Sequence, residues 1–162
     1  MGARTLTFRH DWRPGDAQLI VDLHRAGYAV EGDRFGESFC NFVAETVAEA
    51  QLDLPGRSRV WFAEYAGQAI GCSALVDRGD TGQLRWVVLL PDARGQGAGQ
   101  RLVDLALDHA RNCGHREIFL ETTDGLAASM AIYEKFGFET TDAHVERLWH
   151  GDGLHITMTL TL

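Results

Sequence analysis

Residues 90–99 read LPDARGQGAG, placing Gly95, Gly97, Ala98 and Gly99 within five positions behind a single arginine, Arg94. Glycine at that density costs roughly 0.5–1 kcal/mol per residue inside a regular element, so the backbone here must serve a purpose that side chains would obstruct. The stretch follows the apolar run Trp86–Leu90 and precedes a segment with Leu102, Val103, Ala106 and Ala110 at helical spacing. It therefore joins a strand to a helix. The first amides of a helix lack intrahelical acceptors, and the helix dipole adds positive potential there. Glycines let a ligand approach those amides, and the Arg94 guanidinium adds a charged fork of donors. That combination suits a phosphate or pyrophosphate. The competing explanation is a small-residue turn that lets helix and strand pack closely. The P-loop pattern fails for want of a lysine, and the spacing G-x-G-x-G departs from the G-x-G-x-x-G of dinucleotide-binding folds.

The surrounding elements follow from periodicity and turn residues. Arg4–Arg9 alternates as a strand, Asp16 to about Arg25 reads as a helix stopped near Gly27, and Glu37–Gln51 as a second helix with Phe39, Phe42, Val43, Val47 and Ala50 inward. Arg59–Tyr65 and Gln68–Val76 form a hairpin over Ala66-Gly67, and Gln83–Leu90 is a strand whose apolar end implies burial on both faces. Then come a helix over Gly99–Asn112 closed by Gly114, a strand Glu117–Thr122, a helix Ala127–Phe136 ended by Gly137, and strands from Phe138 and over Leu154–Leu162. The order β-α-α-β-β-β-α-β-α-β-β predicts an α/β mixed sheet with helices on both faces.

The chain has 162 residues and no linker-like stretch, which suits one domain over 1–162. A net charge of −8 argues against a nucleic-acid partner. Between Glu31 and Asp53 six acids face one base, either a solvated helix face or a mouth that attracts a cation. The absence of a long apolar run predicts no membrane span. The N-terminus lacks a signal core, and Cys40, Cys72 and Cys113 are odd in number and dispersed, so reduced thiols in a cytoplasmic setting are expected. The histidines form no linear zinc motif, and no metal is expected.

Arg94-Gly-Gln-Gly-Ala-Gly99 resembles the [QR]-x-x-G-x-[GA] acyl-CoA loop of the GNAT family of N-acetyltransferases. The ending Tyr133-Glu-Lys-Phe-Gly-Phe138 matches the family's second motif, and the element order agrees across nearly the whole chain. Leu84-Arg-Trp86 and Asp124-Gly-Leu-Ala-Ala128 add a likeness to acetyltransferase domains fused to MarR-type regulators. The resemblance implies the acyl-CoA N-acyltransferase fold, acetyl-CoA as cosubstrate and an amine acceptor, and is compatible with a homodimer. It implies that backbone groups of Val87, Val88 and Leu89 bind the pantetheine arm. Arg94 and the amides of Gly95, Gln96, Gly97, Ala98, Gly99 and Gln100 would hold the pyrophosphate. Tyr133 would protonate the departing thiolate, and Glu121 would take the proton of the acceptor amine.

Acyl transfer to an amine needs those roles on chemical grounds alone, an oxyanion donor among them. Each residue also has a structural alternative: Tyr133 as a core aromatic beside Met130 and Phe136, Glu121 as a surface charge. Gln83 is neutral where other members place a glutamate, and Leu126 replaces an asparagine that many use to contact the cofactor. Both departures favour the rival reading, a non-catalytic acyl-CoA sensor. A water-mediated base, or Glu31 or Glu64 from the acceptor side, is the alternative to Glu121. The acceptor pocket is expected from 28–39, Trp61–Tyr65 and the hairpin around Trp149-His150.

Overall fold

The computed structural model describes residues 5–162. Strands β1 (Leu6–Arg9), β2 (Arg59–Tyr65), β3 (Gln68–Asp77), β4 (Thr81–Leu89), β5 (Glu117–Thr122), β6 (Glu139–Leu148) and β7 (Gly151–Thr161) form one seven-stranded sheet in the order β1-β2-β3-β4-β5-β7-β6. Helices α1 (Asp16–Tyr28) and α2 (Glu37–Glu49) precede β2; α3 (Ala98–Asn112) and α4 (Ala127–Lys135) flank β5 in the chain. The expected α/β order holds, with three short 3-10 turns added. Arg4 falls outside the described residues.

The helices cover opposite faces of the sheet. Ile20 and Leu23 of α1, with Phe39, Val43 and Val47 of α2, pack on Phe62, Cys72, Ala74, Trp86 and Val88. Leu102, Val103, Ala106 and Leu107 of α3 pack on Leu75, Leu84, Ile118, Leu120 and Met158, joined by Tyr133 and Phe138. Full burial of each large aliphatic contributes roughly 1.5–3 kcal/mol. Asp16, itself buried, takes two hydrogen bonds from Arg9 at 2.9 and 3.0 Å and ties the start of α1 to β1.

α1 ends at Tyr28, one residue beyond the expected stop near Gly27, where a Cβ would collide with the Val88 side chain, so this glycine serves close packing. Two local expectations need correction. Phe42, placed inward by its spacing, is 39% exposed and borders a cleft. Finally, β4 is not a regular strand. Val88 pairs with Cys72 and Arg85 with Ala74, so three steps on β4 match two on β3. Trp86 sits in this bulge at φ 48, and Arg85 and Trp86, though consecutive, both turn to the α1–α2 side. A non-glycine residue with positive φ inside a strand carries backbone strain, which the core around the indole sustains. The Trp86 Nε1–H donates to Thr46 Oγ1 at 3.2 Å.

Candidate functional site

The bulge acts together with a second irregularity. β4 and β5 run parallel and pair only at Thr81–Gln83 against Glu117–Phe119. Beyond that the strands part, and a cleft of about 650 Å³ opens between them, bounded by α1, α2, α4 and the β6–β7 hairpin. On one wall stand Gln83, Arg85, Trp86 and Val87; on the other, Glu121, Leu126 and Tyr133; Phe39, Phe42, Glu45, Glu146, Trp149 and His155 complete it.

Tyr133 is 7% exposed and packs its ring against Phe138. Burial, reinforced by nearby Tyr28, pushes its phenol well above the usual tyrosine range. Tyr28 is pushed up to about 12, mainly by burial and then by Glu31. Its hydroxyl donates to the Val87 carbonyl at 3.4 Å. Glu121 is exposed, and its carboxylate lies 3.4 Å from His155 Nε2. Burial holds the Arg85 guanidinium below its ordinary value, with Glu121 opposing that effect. Leu126 is apolar and buried, so it offers no polar contact there. Gln83 is buried and accepts from Arg78 Nε at 3.0 Å.

The glycine-rich stretch forms a separate shoulder at the start of α3. Gly95 and Gly97 have φ of 83 and 82, and a Cβ on either would meet open space. The glycines are therefore required by left-handed backbone, not by crowding within the protein. Gly97 precedes α3 without a side-chain cap, and the first helical amide bonded back is Arg101 N–H to Gly97 O at 3.1 Å. The amides ahead of it, on Ala98, Gly99 and Gln100, remain able to receive an anion. The side chain of Ile132 on α4 lies 3.5 Å from the position a Gly99 Cβ would take, so this shoulder abuts the helix that carries Tyr133.

Arg94 also makes contacts within the protein. Its guanidinium donates to Gly27 O at 2.8 Å and Leu89 O at 3.4 Å and lies 3.6 Å from Glu31, bracing the loop against the end of α1. Gln96 accepts from the Tyr65 hydroxyl at 3.0 Å, and Gln100 from Lys135 at 3.2 Å.

The structure thus brings Val87, Glu121 and Tyr133 into one cleft and sets Val88, Leu89 and residues 94–100 outside its lining. Glu31 and Glu64 are not in that lining either: Glu31 faces Arg94, and Glu64 pairs with Arg9. Trp61–Tyr65, expected to line the acceptor pocket, does not, since Trp61 is buried on the α3 side. Arg85, Glu146 and His155 were missed. No linear spacing marks them, because strand register and the bulge bring them together.

A profile of the acetyltransferase (GNAT) family matches residues 20–138, and the chain belongs to that family. It is similar to an IAA acetyltransferase of Azospirillum brasilense, 34% identical over 124 residues covering 75% of this chain and 74% of the relative. It is also similar to the uncharacterized N-acetyltransferase YjgM of Escherichia coli, 33% identical over 108 residues covering 60% and 64%. The chain spans about half to two thirds of the length of the first curated relatives it matches. Among solved structures, a GNAT-family acetyltransferase from Desulfovibrio desulfuricans superposes with a TM-score of 0.77 at 20% identity, covering 97% of this chain and 99% of the other. YncA of Salmonella typhimurium, solved with its cofactor acetyl-CoA, gives 0.71 at 22% identity, covering 98% and 94%. These likenesses establish the GNAT fold. No helix among the described residues is long and apolar enough to cross a membrane.

Proposed function

We propose that the chain is an acetyl-CoA-dependent N-acetyltransferase that transfers the acetyl group directly to an amine. The observation that carries this reading is the parting of β4 from β5, with Tyr133 and Glu121 on the same side of the gap and an uncapped helix start beside it. The diphosphate would sit on the amides of residues 95–100 with Arg94 beside them, and the pantetheine arm along Val87–Leu89. The acceptor nitrogen attacks the thioester carbonyl, a C–N bond forms and the C–S bond breaks. The amine proton passes to Glu121, directly or through water, with His155 behind the carboxylate. Tyr133, protonated throughout the physiological range because burial raises its pKa, donates to the departing thiolate.

The acceptor end joins Phe39, Phe42 and Trp149 to Glu45 and Glu146. Phe39 and Phe42 lie 5.0 and 5.4 Å from the Trp149 ring between centroids. Such a wall suits an amine with an apolar body, its cation attracted by ring faces and carboxylates. The test is thiol release from acetyl-CoA across arylalkyl amines, polyamines and peptide N-termini. Turnover should favour arylalkyl amines. Binding of acetyl-CoA without release on any amine would support the sensor reading, which Leu126 and Gln83 favour.

A further inference from the structure

The expectation of no metal rested on contiguous motifs, and β-ladders do not assemble ligands contiguously. On β6, Asp142, His144 and Glu146 alternate with their neighbours and so share one face of the strand. On β7, His155 is the register partner of His144, their ring centroids 5.1 Å apart. Donor atoms of Asp142, His144 and His155 all lie within 4.8 Å of one another. His144 Nδ1 is 2.5 Å from Asp142 Oδ2, and its Nε2 is 2.9 Å from Glu146 Oε2. His155 Nε2 lies 3.9 Å from Glu146 Oε1 and 3.4 Å from Glu121 Oε2. Its Nδ1 is buried without a hydrogen-bond partner among the described residues.

We propose that His144, His155 and Asp142 form a binding site for a divalent transition-metal ion of the zinc class, with Glu146 held on the opposite ring nitrogen of His144. Paired imidazoles with carboxylates suit zinc, nickel or copper, whereas magnesium and calcium prefer oxygen-only shells. Zinc holds nitrogen and oxygen donors at about 2.0–2.2 Å, so donors within one shell stand roughly 3–4 Å apart. The present separations approach that, and side-chain rotation completes it, because the backbone register already sets the two imidazoles opposite each other. Asp142, His144 and Glu146 are exposed, which gives an ion a path from solvent. The ion would take the place of the protons that now bridge imidazole and carboxylate. The proposal does not depend on acetyl transfer.

The chain also has a thiol–imidazole pair, Cys113 Sγ and His109 Nε2 at 3.4 Å, which is the natural competitor for zinc. The experiment is titration of the EDTA-stripped full chain with zinc chloride near neutral pH, followed by calorimetry. One saturable equivalent per chain is expected, undisplaced by excess magnesium and unchanged in Cys113→Ser. His144→Ala and His155→Ala should each weaken it at least about tenfold. Asp142→Asn, a milder change, should also weaken it, and in the wild type the ring protons of both histidines should shift on zinc addition. Absence of saturable binding would overturn the site. So would loss of binding in Cys113→Ser, or wild-type affinity in Asp142→Asn together with unmoved ring protons.

Discussion

The shoulder at the start of α3 and the far wall of the cleft are built by opposite means. The shoulder is one continuous loop whose positive-φ glycines and uncapped helix start stand next to each other in the chain. The wall gathers Glu45, Arg85, Glu121, Tyr133, Glu146 and His155 from six elements. A site made by one loop depends on backbone conformation. One made by convergence depends on register and packing, so substitutions should fail differently in the two regions.

The largest contrast is expected at Tyr133. Tyr133→Phe keeps the ring against Phe138 and should lower single-turnover thiol release by about 10²–10⁴, the range for a lost general acid. The melting temperature should barely move. A rate within about threefold of wild type would make Tyr133 structural and favour the sensor reading.

The α1 side of the cleft, lined by His24, should show its burial in a pH profile. His24, fully buried with Nδ1 2.7 Å from Ile20 O, has its pKa lowered from 6.5 to about 4 by desolvation. Above pH 6.5 both folded and unfolded chains hold it neutral, and its contribution is complete. As the pH falls further, the unfolded chain takes up a proton that the folded chain refuses. Stability is then lost until about pH 4, roughly 3 kcal/mol in all. Denaturant melts from pH 7 to 4 should show that loss, and His24→Leu should remove it. An acid limb as steep in His24→Leu would assign the effect to other groups.

For the shoulder, acetyl-CoA at ~100 times its dissociation constant should stabilise the fold by about 2.7 kcal/mol, read as a rise in melting temperature. NADH should do much less, and an equal response would sink the CoA assignment. Smallest in stability is Gly97→Val. Forcing a β-branched residue into this left-handed position should cost about 1–2 kcal/mol while abolishing the thermal response to acetyl-CoA. Normal binding by that variant would remove Gly97 from the site.

The same division decides what could be read from the chain. β2 and β5 begin and end where their composition suggests, and the Ala66-Gly67 turn and the cap at Gly114 are local chemistry. The loop at 94–99 was legible for the same reason, although the bracing role of Arg94 was not, since its partner Gly27 lies far away in the chain. The packing role of Gly27 depends on Val88, and the outward turn of Phe42 on the cleft it borders. The pairing of His144 with His155 depends on hairpin register, and that of Glu121 with His155 on the β5–β7 ladder. None of these relations has a period along the sequence.

The bulge at Trp86 makes the opening in the sheet a matter of counting. If that one residue were deleted, Val87 would follow Arg85 in strict alternation, facing Ser73, and every later side chain of β4 would keep its present face. The β3–β4 ladder would become regular, and β4 would lose the bend that carries it away from β5. Pairing could then continue past Gln83, protecting the amides of Val87–Leu89 from hydrogen exchange. The shortened chain would form a better sheet and a poorer container, because the space between its central strands is held open by one surplus residue.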